Sequence, residues 1–78
     1  MGLNPLAEMK YEIKHTYGVL SESTKGWKKE LNLISWNGRK DKFDLREWSA
    51  DHDKMGKGVT FTSEELKKLR DMLNELEL

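Results

Sequence analysis

The chain has 78 residues, 36% of them hydrophobic, with 14 basic residues balancing 14 acidic ones and no cysteine. That is one domain at most; disulfides and thiolate zinc sites are excluded, and two histidines, His15 and His52, are too few for a histidine-rich metal site. Apolar runs are far shorter than the roughly 20 residues that span a bilayer, and the N-terminus has neither the basic region nor the apolar run of a signal peptide, so the sequence reads as soluble and cytoplasmic. So little core material calls for another source of stability, and self-association is the one that remains.

Residues 1–9 have no clear period and include Pro5, and read as an N-terminal arm or an expression remnant; residues 10–78 read as a single domain. Over 10–20 the pattern alternates, with Tyr11, Ile13, His15, Tyr17 and Val19 on one parity, which predicts a strand with one buried face and a partly buried His15. After a polar loop a second strand is expected over 27–36. Asn37-Gly38 follows at once, a strong hairpin signal, because both turn positions need positive φ and these residues tolerate it. A third strand is expected over 42–48 and, after the polar stretch 49–57, a fourth over 58–61. Thr62 with Glu65 makes a capping box for a helix over 63–77, whose stripe Leu66, Leu69, Met72, Leu73 and Leu76 suits an interface with a second copy. Four strands in a meander and one C-terminal helix make an α+β fold.

Side chains alternate across a strand, so parity sorts them onto faces. Leu31, Leu33, Phe43 and Leu45 form the expected core under the helix. Lys28, Trp36, Arg46 and Trp48 then share the uncovered face with Asp44, and Arg39, Lys40 and Lys42 lie around the hairpin. The middle of the chain is also the basic part, with nine cations against six anions from Lys25 to Lys57, whereas residues 62–78 carry three against five. Aromatics alternating with cations on an open sheet suit single-stranded nucleic acid, whose bases stack at about 1–3 kcal/mol each while cations follow the phosphates. The bland readings compete: either tryptophan could close a core edge or fill a dimer interface, Trp27 sits on the core parity, and Arg46 beside Asp44 and Glu47 could be a surface ion pair.

Catalysis finds no support. Asp51-His52-Asp53 lacks the spacing of a calcium loop, Gly56-Lys57-Gly58 is not a phosphate loop, and Glu64-Glu65 is explained by helix capping. Neither a metal nor a cofactor is implied.

These residues carry a resemblance. The Asn37-Gly38 hairpin, the stretch Phe43-Asp44-Leu45-Arg46-Glu47-Trp48, and Lys57-Gly58-Val59-Thr60-Phe61 leading into a capped leucine helix resemble the single-stranded-DNA-binding core of the transcriptional positive-coactivator family. Gly18-Val19-Leu20-Ser21 and Trp36-Asn37-Gly38-Arg39 extend the likeness to its bacterial YdbC-like branch, over nearly the whole chain from Lys10. The resemblance implies a homodimer with a curved four-stranded sheet, helices at the dimer interface, and a sheet that grips single strands without sequence preference. It implies a base-stacking aromatic at Trp36, a phosphate or base contact at Arg46, a further aromatic at Trp48, and cationic contacts at Lys28 and Lys57.

The expectation is therefore a non-enzymatic, homodimeric binder of single-stranded DNA, with RNA as a second candidate ligand. Its site is Lys28, Trp36, Arg39, Lys42, Arg46, Trp48 and Lys57, and transcription or replication proteins are further candidate partners. The alternative is a protein–protein interaction module that uses the sheet face or the strand edges.

Overall fold

Five elements follow one another along the chain: β1 (Tyr11–Glu22), β2 (Lys28–Trp36), β3 (Lys42–Trp48), β4 (Met55–Phe61) and α1 (Ser63–Asn74). They come from a computed structural model that describes residues 10–78; the arm expected over residues 1–9 lies outside the described residues. The strands form one antiparallel sheet in the order β1-β2-β3-β4.

Local chemistry sets the joints. Asn37 and Gly38 turn the β2–β3 hairpin with φ of 52° and 73°, the positive values that asparagine and glycine accept. Asn37 also ties the hairpin to β1, since its side-chain oxygen accepts from the Lys10 N–H at 2.9 Å and its own N–H donates to the Lys10 carbonyl at 2.7 Å. Thr62 caps α1: its hydroxyl accepts from the Glu65 N–H at 3.1 Å, and its N–H donates to the Glu65 carboxylate at 2.8 Å. The Thr62 backbone donor, and after it the Thr62 hydroxyl, hold Glu65 below its ordinary carboxylate range. The helix stops at Asn74, short of the expected 77. Its last turn carries no basic residue, and Glu75 and Glu77 oppose the negative end of the dipole. At the other boundary β4 begins at Met55 rather than Gly58, because Met55 pairs with Trp48 across a register shift.

β1 departs from the expected simple alternation. Its register against β2 slips between Ile13 and His15, between Thr16 and Gly18, and between Val19 and Ser21. Each slip moves the following residues to the other face. Tyr11 and Ile13 stand opposite Trp36 and Ile34, Thr16 and Val19 opposite Asn32 and Glu30, but His15 joins Leu33 on the far side. His15 is consequently exposed, with its ring against Tyr17 at 4.6 Å.

The sheet is strongly coiled. Tyr11 pairs with Trp36 at one end of β2 and Trp48 with Lys28 at the other, a separation of about 26 Å along a flat strand. Yet the Tyr11 and Trp48 rings are 5.3 Å apart. Coiling folds these corners together and encloses the middle of one face, where Ile34, Trp48, Glu30, Asn32 and Asp44 are buried. This corrects the expected core: Leu31, Leu33, Phe43 and Leu45 lie on the convex face and are only half-buried. α1 has no buried residue and touches only β3 and β4, so one short helix covers part of that face and leaves the rest to water.

Candidate nucleic-acid interface

Neither β2 nor β3 is bulged against the other, so the period of two holds, and Lys28, Trp36, Lys42, Arg46 and Trp48 all belong to the concave side. Coiling then separates them by exposure. Lys42 is exposed, Lys28, Trp36 and Arg46 are half-buried, and Trp48 has no exposed surface. Arg39 is exposed in the hairpin, and Lys57 is exposed beside the β4 register shift.

Trp48 therefore differs from its expected place in a stacking surface. Its ring is enclosed by Tyr11 at 5.3 Å and His52 at 5.6 Å, and no base reaches it while the sheet stays coiled. It works as core, which was the competing reading for a lone tryptophan. Trp36 lies toward the rim, with Tyr11 at 5.8 Å and the Arg46 guanidinium carbon 5.1 Å from its ring centroid.

Arg46 is not the surface ion pair that its neighbours suggested. Its Nε donates to both Asp44 oxygens at 3.1 and 3.3 Å, Nη2 donates to Asp44 at 3.0 Å, and Nη1 donates to the Gly56 carbonyl at 3.1 Å. Asp44 is fully buried, and this bidentate charged contact supplies the partner that its carboxylate requires.

A second buried carboxylate lies beside it. Glu30, only 3% exposed, has both oxygens 3.0 Å from His52 Nε2 and accepts from Asn32 Nδ2 at 3.1 Å. The His52 carbonyl accepts from the Tyr11 hydroxyl at 3.1 Å. His52 adopts a left-handed backbone, φ 61°, so the β3–β4 loop is pinned to both β1 and β2. Within that loop the Asp53 N–H, and after it the Ser49 hydroxyl, hold Asp51 below its ordinary carboxylate range. Sequence reasoning gave Glu30, Asn32 and His52 no role in this region. The readable signal was three polar residues, Glu30, Asn32 and Asp44, on one parity of adjacent strands, which on an open face would have implied only solvation.

Gly58 was also missed as a contributor. It stands opposite Arg46, and a Cβ there would lie 2.6 Å from the Leu45 carbonyl oxygen and 2.7 Å from Arg46 Cβ.

The convex face carries an apolar groove of about 530 Å³ between sheet and helix. Leu31, Phe43 and Leu45 line it from the sheet, and Leu66, Leu69 and Leu73 from α1. Met72 and Leu76, expected on the same stripe, lie outside the groove, 63% and 56% exposed. Among the described residues no group of His, Asp and Glu is placed to hold a metal ion, and no helix is long and apolar enough to cross a membrane.

Residues 23–72 match the model of a family described as Transcriptional Coactivator p15 (PC4). An uncharacterized protein of Treponema pallidum (strain Nichols) is 54% identical over 68 residues, which cover 87% of this chain and 80% of that protein.

Proposed function

The chain belongs to the transcriptional coactivator p15 (PC4) family, and on that premise we propose that it is a homodimeric, non-enzymatic binder of single-stranded DNA acting in transcription or DNA maintenance. RNA is the other nucleic acid that the same chemistry would take. The carrying observation is the partly exposed Trp36 side chain beside a hairpin that bears Arg39 and Lys42, on the face shared by Lys28. A base stacks on Trp36, while Lys28, Arg39, Lys42 and Lys57 neutralise successive phosphates. Stacking tolerates every base because each has a π-face, so affinity depends little on sequence and falls as salt rises.

The convex groove supports the dimer. An amphipathic helix with no buried residue, over half-buried Leu31, Phe43 and Leu45, leaves apolar area that a second copy would remove from water. On this reading the subunits join through Leu66, Leu69 and Leu73, and Met72 and Leu76 extend the contact beyond the groove.

The test is a tryptophan fluorescence titration with an oligothymidine of about 20 nucleotides at low and raised salt, a matching duplex as control, and Trp36→Ala, which lacks the reporting indole, compared with wild type by the anisotropy of an end-labelled oligothymidine. Salt-sensitive binding of the single strand, weakened about 5- to 150-fold in Trp36→Ala, is expected from the loss of one stacked base. Absence of binding, or a Trp36→Ala variant with full affinity, refutes the site and favours the protein-interaction reading. Sedimentation of Leu73→Asp should convert a dimer to monomer; a folded wild-type monomer at micromolar concentration would refute the dimer.

A further inference from the structure

We propose that Arg46 is a positioning residue rather than a phosphate contact: it fixes the Trp36 indole, and Gly58 is what allows it to do so. The proposal rests on the reading of Trp36 as the stacking platform and deepens it.

Three observations carry it. The charge of Arg46 is already matched, since all three guanidinium nitrogens are engaged, two of them on a carboxylate with no exposed surface. Its side chain is only 16% exposed. A phosphate would have to draw the guanidinium away from Asp44 and leave that buried charge without a partner.

The second observation is reach. Arg46 pairs with Glu30, six residues before Trp36 on β2 and therefore about 20 Å away along a flat strand. Coiling and the direction of the side chain nevertheless place its guanidinium carbon 5.1 Å from the Trp36 ring centroid, within cation–π range. Asp44 and the Gly56 carbonyl hold the guanidinium from β3 and β4, so the indole rests on a group fixed at three points. A lysine keeps the charge but has no planar fork to make these contacts together.

The third is the absence of a side chain at position 58. A Cβ there would meet the Leu45 carbonyl oxygen, Arg46 Cβ and Arg46 Cγ at 2.6, 2.7 and 2.8 Å. Glycine lets the Arg46 stem lie against β4, and from that position Nη1 reaches the Gly56 carbonyl.

The experiment is a double-mutant cycle on oligothymidine affinity with Arg46→Lys, Trp36→Ala and their combination, with folding checked by circular dichroism. Arg46→Lys keeps a cation beside Asp44, so it preserves both the buried pairing and any phosphate charge. It should weaken binding about 2- to 30-fold, the range of a cation–π contact, and add no further loss in the Trp36→Ala background. Gly58→Ala, which changes no charge, should weaken binding likewise.

Wild-type affinity in Arg46→Lys would overturn the proposal, because lysine serves a phosphate as a point charge. So would an Arg46→Lys loss that persists in full on Trp36→Ala, since it would mean a role independent of the indole. A folded Gly58→Ala with wild-type affinity would overturn the part assigned to Gly58. Failure of the functional reading looks different: the wild-type chain then fails to bind, or Trp36→Ala binds as well as wild type.

Discussion

Replacing Trp48 separates stability from binding. Truncating a buried tryptophan to alanine costs about 3–5 kcal/mol, and ring contacts to Tyr11 and His52 place Trp48 toward the upper end. One term opposes this: the Trp48 indole N–H is buried without a partner, and deleting an unpaired donor returns about 1–3 kcal/mol. The expected net cost of Trp48→Ala is about 3 kcal/mol. Trp48→Phe, which keeps a ring against Tyr11 and removes the orphan donor, should cost about 1 kcal/mol by the same reckoning. Against about 4–12 kcal/mol for a chain of this size the alanine loss is large. Urea unfolding followed by far-ultraviolet circular dichroism, at one fixed protein concentration because the proposed dimer couples to folding, should give a lower midpoint with an unchanged slope for Trp48→Ala. Oligothymidine affinity of the folded fraction should stay near wild type. A variant with the wild-type midpoint that has lost oligothymidine binding would mean that the indole is reachable, and would refute its assignment to the core.

Two further predictions concern the joints of the fold. Gly38→Ala meets nothing within 4 Å but must hold φ at 73°, so the loss is purely one of backbone, about 1 kcal/mol, seen as a drop of about 4–8 °C in Tm; an unchanged Tm refutes it. Glu65 is held below its ordinary value of 4.5 by the Thr62 cap, so its ionised form stabilises the fold above about pH 4.5 and that contribution is lost as pH falls through the depressed folded value. The gap in urea midpoint between wild type and Glu65→Gln should be fully present at pH 7 and narrow as pH is lowered from about 4.5 through the acid range, and a gap that stays constant throughout would count against the linkage.

Sequence and structure agree where chemistry is local. The positive φ values at Asn37 and Gly38 and the reciprocal Thr62–Glu65 bonds are each contained within four residues, and their residue types announce them. Parity was also legible between β2 and β3, because no bulge interrupts that ladder, so the shared face of Lys28, Trp36, Arg46 and Trp48 could be read directly. The same rule misplaced His15, since the slip that follows Ile13 leaves no mark in an alternating pattern. Burial could not be read at all. Trp36 and Trp48 look equivalent along the chain, and only the coil that brings Tyr11 onto Trp48 makes one a rim and the other a core. Asp44 followed Trp48 inward, which turned a pairing with Arg46 that looked superficial into a buried one.

The three slips in β1 have a consequence beyond the faces of its side chains. β1 is an outer strand of the sheet, and a long outer strand with a regular row of free N–H and C=O groups is a template for fibril growth. Here the row is broken after Ile13, after Thr16 and after Val19, so an incoming chain finds only short stretches in register before its hydrogen bonds fall out of step. Charges at Lys10, Glu12 and Lys14 guard the first of these stretches. The irregularity that scrambles the alternation of β1 is thus also a safeguard against aggregation, built into the edge where a small, thinly cored protein is most vulnerable.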